Sequence, residues 1–191
     1  MKKNLWISIM YTVVTTVLLG IIYPLVVTGF AQVLFPRQAN GELIHRDGVL
    51  VGSRLLGQPF TAPGYFYSRP SAAGTVGYDP TASGGSNFGP TNKALIDRVD
   101  ASVKQLQPTN PGAPIPVDLV TTSGSGLDPD ISPAAAEFQV ARVAKERGMS
   151  EPDVRVLVAK HTQGRQLGFL GEPRVNVLEL NLELDSVHAM H

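Results

Sequence analysis

Residues 5–35 run for 31 positions without one charged side chain, with Lys2 and Lys3 before them and Arg37 after. A helix needs about 20 apolar residues to cross roughly 30 Å of hydrocarbon, so this run spans with length to spare. A cleaved signal peptide is the competing reading, and Gly29, Phe30 and Ala31 supply small residues at a cleavage-like spacing. Its apolar core, however, is ordinarily about 7–15 residues long, half of what is seen here. The run therefore predicts a retained, single-pass anchor over residues 1–36. Lys2 and Lys3 stay cytoplasmic by the positive-inside rule, which places residues 37–191 outside the cytoplasm as an extracytoplasmic domain of a cell (inner) membrane protein.

The anchor carries an internal pattern. Ser8, Thr12, Thr16 and Gly20 recur every fourth residue, and Pro24 and Thr28 continue the series. Such a row forms an oblique ridge of small side chains on a helix. In lipid, where no hydrophobic force draws helices together, small residues allow close approach of a second helix. The plainer reading is that the hydroxyls bond back to the preceding turn. Pro24 cannot donate a backbone hydrogen bond and is expected to kink the helix.

Beyond the anchor the composition excludes more than it assigns. The chain has 16 Lys and Arg against 16 Asp and Glu, which argues against a nucleic-acid partner. With no cysteine there is no disulfide framework, thiolate zinc site, iron–sulfur cluster or cysteine nucleophile. Residues 57–92 hold seven Gly and five Pro, with only Arg69 and Asp79 charged, and cannot be helical. Yet Phe60, Tyr65, Phe66, Tyr67, Tyr78 and Phe88 also lie there, half of the twelve Phe and Tyr. Disordered tracts are poor in aromatics, so an ordered loop is expected. Either the aromatics pack the loop onto its own domain, or several of them meet a partner.

The remaining pattern predicts an α+β domain. Asp47-Gly48 marks a hairpin between short strands. Thr91 is placed to cap a helix reaching Gln107. After four prolines, residues 117–121 look like a short apolar strand, and residues 123–126 like a flexible turn. Ser132 with Pro133 starts a helix that Gly148 stops. Ser150 and Asp153 resemble a capping box for a helix ending near Thr162. Residues 175–185 fit helix or strand, and helix is preferred.

Chemical motifs are sparse. No phosphate-binding G-x-x-x-x-G-K-[ST] loop occurs, and the Gly-rich run at 83–87 lacks its lysine. Ser86 and Ser125 lie outside any G-x-S-x-G elbow. His188 and His191, three apart near the terminus, are a weak metal signal, and His161 reads as a helix-end charge. Asp128 and Asp130 flank Pro129 in what reads as a solvated turn rather than a cation site. No catalytic residue, metal site or cofactor motif is assigned.

The segments GYFYSRPS (64–71), YDPTASGGSN (78–87), LVTTSGSGLDP (119–129) and GEPRVNVLELN (171–181), in this order after a single anchor, resemble the KdpC family. These are the C subunits of bacterial Kdp potassium-transporting ATPases. The resemblance implies a subunit of a high-affinity potassium uptake pump, alongside a channel-like A subunit, a P-type ATPase B subunit and a small F subunit. It implies a non-catalytic role in assembly and in raising the ATP affinity of the B subunit, where ATP and Mg act. The derived topology puts the domain on the side away from ATP, so an indirect effect is expected. Ser8, Thr12, Thr16 and Gly20 are then the expected helix-packing row. Tyr65, Phe66, Arg69, Tyr78 and Asn87 are the expected partner surface near the potassium entrance, or else the residues that structure the loop. A tethered ligand-binding module and, less favoured, a cell-envelope enzyme are the alternatives.

Overall fold

Residues Lys2–Leu34 form one uninterrupted helix, with none of its apolar window buried. The computed structural model describes residues 1–189, so His191 lies outside the described residues. At about 1.5 Å per residue the helix is about 50 Å long, enough to cross a bilayer. Apolar side chains project all round it, as a lipid-facing helix requires.

The helix has three parts: α1 (Lys2–Thr15), a widened π segment (Thr16–Ile22) and α2 (Tyr23–Leu34). The widening falls directly before Pro24. A proline ring crowds the carbonyl four residues back, here that of Gly20, and offers it no N–H. Within the widened stretch the Tyr23 N–H reaches five residues back, to the Leu18 carbonyl, and such bulges accommodate a disturbed ladder. Ser8 Oγ donates to the Asn4 carbonyl at 2.9 Å and Thr15 Oγ1 to the Tyr11 carbonyl at 2.8 Å, so these hydroxyls are satisfied within the helix. The small-residue row enters the widened turns at Thr16, where its four-residue step no longer matches the α-helical ridge.

This helix belongs to the first of two compact units, Met1–Val51, which also contains the short α3 (Pro36–Ala39). Strands β1 (Leu43–Arg46) and β2 (Val49–Ser53) pair as a two-stranded sheet. Asp47 and Gly48 both have positive φ, 52° and 78°, the geometry that a two-residue hairpin turn demands.

The second unit, Gly52–His191, is α+β. Its helices are α4 (Lys93–Leu106), α5 (Pro133–Arg147), α6 (Glu151–His161) and α7 (Val177–Val187). Its sheet has the order β3-β5-β4, all antiparallel, from β3 (Asp130–Ile131), β4 (Thr162–Gln163) and β5 (Arg174–Asn176). Ile131 and Thr162 both face Val175, which is fully buried. Around it Phe66, Val140, Val143, Val154, Leu180 and Leu184 close the core between α5, α6 and α7.

Local chemistry explains the helix limits. Ser132 Oγ accepts from the Ala135 N–H at 3.0 Å and Pro133 follows; Gly148, at φ 63°, ends α5 in the left-handed conformation. Ser150 caps α6 by accepting from Asp153 N–H, and Asn176 caps α7 by accepting from Glu179 N–H. Three expectations need correction. Asn92, not Thr91, caps α4, its Oδ1 accepting from Ala94 N–H at 2.8 Å. Residues 117–121 are no strand: Val117–Leu119 form a 3-10 turn, which points Asp118 at the Ser132 backbone and hydroxyl. In the tail the helix is correct, but residues 174–176 first serve as the central strand.

Candidate functional site

Residues 57–92 contain no helix or strand, yet many hydrogen bonds tie this segment to the rest of the domain. Its stretch 63–67 lies in a clamp built by α5 and α7. Asn181, on α7 and 1% exposed, accepts from the Phe66 N–H at 2.9 Å and donates to the Phe66 carbonyl at 3.0 Å. Gln139, on α5 and equally buried, does the same for Tyr67, at 2.8 and 3.2 Å. Two side-chain amides thus stand in for a neighbouring strand, satisfying backbone groups that would otherwise be buried unpaired.

Two arginines complete the clamp. Arg142 donates to the carbonyls of Pro63 and Tyr65 and to Gln139, and its guanidinium stacks 3.9 Å from the centre of the Tyr67 ring. Burial pulls its pKa below the ordinary arginine value. The Arg147 side chain is fully buried, donating to the Gly64 carbonyl at 2.6 Å, the His188 carbonyl at 2.7 Å and Asp185 at 2.8 Å. Asp185 also accepts from the Tyr65 hydroxyl at 3.0 Å. Burial, and then this carboxylate, push the Tyr65 pKa up, so the phenol stays protonated as the donor.

Other parts of the segment, from Gly57 to Gly84, are knitted to residues 121–129. Gly84 N–H and Ser83 Oγ both donate to the Ser125 carbonyl, Gly57 N–H donates to the Leu127 carbonyl, and Ser71 Oγ bonds the Gly126 carbonyl while accepting from Tyr78 N–H. Gly126 leaves no room for a side chain without a shift of the backbone: at φ 68°, a Cβ would lie 2.7 Å from both the Ala73 nitrogen and the Gly84 oxygen. Residues 123–126, expected to be flexible, are a fixed partner of this loop.

Arginine–aspartate pairs flank an open cleft of about 570 Å³ whose lining includes Arg69, Asp118, Asp128, Asp130 and Arg174. Arg69 donates to Asp128 at 2.9 Å and Arg174 pairs with Asp130 at 3.0 Å. The Asp128–Pro129–Asp130 turn is therefore ion-paired, neither a solvated turn nor a free cation site. Burial raises the Asp130 pKa, while Arg174 and then Asn176 pull against it. Among the described residues, no group of three His, Asp or Glu is placed to hold a metal.

Each residue singled out from the sequence can now be placed. Phe66 has no exposed surface and belongs to the core. Tyr65 and Arg69 are half-buried in the contacts above, and the Tyr78 hydroxyl donates to the Arg69 carbonyl from a backbone with φ 57°. Asn87 is exposed, at φ 51°, a conformation that Asn tolerates. Ser8, Thr12, Thr16 and Gly20 all lie on the apolar helix of the first unit. Sequence reasoning missed Gln139, Arg142, Arg147, Asn181 and Asp185. The available signal was polar residues on otherwise apolar helix faces.

Comparison with known proteins gives a consistent result. The family model described as "KdpC: K+-transporting ATPase, c chain" matches residues 5–186. A "Potassium-transporting ATPase KdpC subunit" of Koribacter versatilis is 65% identical over 190 residues, covering 100% of this chain and 98% of that protein. Proteins of the same name from Methylococcus capsulatus and Sorangium cellulosum are 56% and 57% identical, each over at least 94% of both chains.

Proposed function

We propose that this chain, which belongs to the KdpC family, is a non-catalytic accessory subunit of an ATP-driven potassium uptake complex. The observation that carries this reading is the family match over nearly the whole length, anchor and domain together. The partners are a channel-like A subunit, a P-type ATPase B subunit and a small F subunit. The chain supports their assembly and raises the ATP affinity of the B subunit.

Lys2 and Lys3 hold the N-terminus in the cytoplasm, and the α+β domain lies outside. ATP is then on the far side of the membrane from the domain, so its effect on nucleotide affinity is a coupling between distant sites. The helix is the element common to both sides, and the row Ser8, Thr12, Thr16 and Gly20 is its docking face. The clamped loop suits this role because its backbone is fixed before any partner arrives, which lowers the entropy lost on association. Tyr65, Phe66, Arg69 and Tyr78 build that loop, and Asn87 stands on its outside.

Two measurements test this reading. A single cysteine placed in the domain of this cysteine-free chain should react with an impermeant maleimide in intact cells; protection there, with labelling only after lysis, overturns the topology. ATP hydrolysis by the purified complex should show a lower KM for ATP with the chain than without it, and equal values overturn the accessory role.

A further inference from the structure

The charge-free part of the anchor, residues 5–34, is about 45 Å long at about 1.5 Å per residue. A bilayer with its headgroups is about 40–45 Å thick, so with Lys2 and Lys3 at one surface an upright helix ends at headgroup level on the other. Tilt only lowers that end. The chain does not leave the surface there. The Phe35 carbonyl accepts from Ala39 N–H at 2.9 Å, which closes the single turn of α3. The Asn40 amide donates to the Pro36 carbonyl at 2.6 Å and to Gln32 Oε1, on the last turn of the membrane helix, at 3.1 Å. Glu42 N–H then returns to the Arg37 carbonyl at 2.9 Å. One residue, at most about 3.6 Å of chain, separates that bond from the start of β1 at Leu43. The β1–β2 hairpin is thus pinned beside the end of the membrane helix.

One face of this hairpin is left open by the protein. Across the two-residue turn His45 opposes Leu50 and Ile44 opposes Val51. Leu43, His45 and Leu50 therefore share one face, and Ile44, Arg46, Val49 and Val51 the other. Ile44 and Val51 are half-buried, whereas Leu43 and Leu50 are each 53% exposed. A hairpin of two strands is marginal on its own in water, so an uncovered apolar face calls for cover. We infer that the Leu43–His45–Leu50 face lies on the bilayer surface at which the helix ends, with both leucines sunk into the boundary between headgroups and acyl chains. The inference rests on the membrane reading above. Continuity with the lipid-facing helix selects the occupant: lipid is the surface already beside the hairpin, and the tether removes most of the entropy cost of meeting it. His45, with an apolar ring body and a polar edge, suits the same depth. Arg37 and Arg46 are balanced in number by Glu42 and Asp47, so the contact is apolar and needs no anionic headgroup.

The test uses the full-length chain, which has no native cysteine, in phosphatidylcholine nanodiscs. The single variants Leu50→Cys, Val49→Cys and, inside the anchor, Val17→Cys each carry an environment-sensitive NBD dye. Lipid with a nitroxide high on its acyl chain should quench the dye roughly twofold or more at positions 17 and 50 and leave it bright at 49, because neighbouring strand residues point to opposite faces. Replacing part of the lipid with phosphatidylglycerol should change nothing. Unquenched, water-like emission at 50 beside quenching at 17 overturns the inference and leaves the membrane reading intact. So does equal quenching at 49 and 50, or quenching at 50 that appears only with phosphatidylglycerol. Loss of quenching at 50 on addition of the A, B and F chains also overturns it, since the face would then belong to them. Absence of quenching at 17 overturns both.

Discussion

Replacing Asn181 with leucine should release the loop from the domain. The side chain is 1% exposed, and its amide makes two bonds to the Phe66 backbone, at 2.9 and 3.0 Å. Leucine keeps the branched outline at Cγ and is larger than asparagine, so no cavity forms and the loss is chiefly polar, with some crowding added. It leaves a buried N–H and a buried carbonyl without partners, each costing about 1–3 kcal/mol. Some relaxation toward water offsets part of this, giving an expected loss of about 3 kcal/mol. For a domain of this size that lowers Tm by roughly 6–12 °C. Urea unfolding of the full chain in mild detergent, followed by tyrosine near-UV circular dichroism, measures the loss. Hydrogen exchange localises it, because the Phe66 and Tyr67 amides should lose protection first. A change below about 0.5 kcal/mol, with Phe66 still protected, would refute the clamp as the device that holds this loop.

Gly126→Ala should cost about 2–4 kcal/mol, since it adds left-handed strain to a clash with backbone atoms, whereas Gly124→Ala, with open space around it, should stay within about 0.5 kcal/mol; paired urea melts check this. Glu183, whose pKa is lowered by Lys160 and then His161, is stabilising above the ordinary carboxylate range, and that stability is lost as pH falls through its lowered folded value. Glu183→Gln should therefore be less stable than wild type at pH 7, with the gap closing in melts near pH 3; a gap unchanged at pH 3 contradicts the assignment. In the anchor, Thr16→Leu with Gly20→Leu should weaken co-purification of the pump several-fold, and unchanged recovery would sink the docking row.

What could be read from the residues followed the range of the interactions involved. The long apolar helix, the Asp47-Gly48 turn, and the Ser132, Gly148 and Ser150 caps depend on local sequence, and all appear where the sequence places them. The strands β3 and β4 are two residues each, too short for any alternation, and exist only because β5 lies between them. Residues 117–121 misled because a β-branched run after prolines has strand composition, while a distant helix start, Ser132, required the Asp118 carboxylate. The loop shows the same division. Its order was expected from its aromatics, but its fixing groups come from Gln139, Arg142, Arg147 and Asn181, more than 70 residues away. No local pattern reveals that Phe66 points inward while Asn87 points out.

The central claim, that this chain is a working part of a potassium pump, is tested most directly by pulling down the C-terminally tagged protein in mild detergent from potassium-starved cells. Mass spectrometry of the eluate should identify a channel-like chain together with a P-type ATPase, in amounts comparable to the tagged chain. Elution of the tagged chain alone, from cells shown to express the other two, would contradict it.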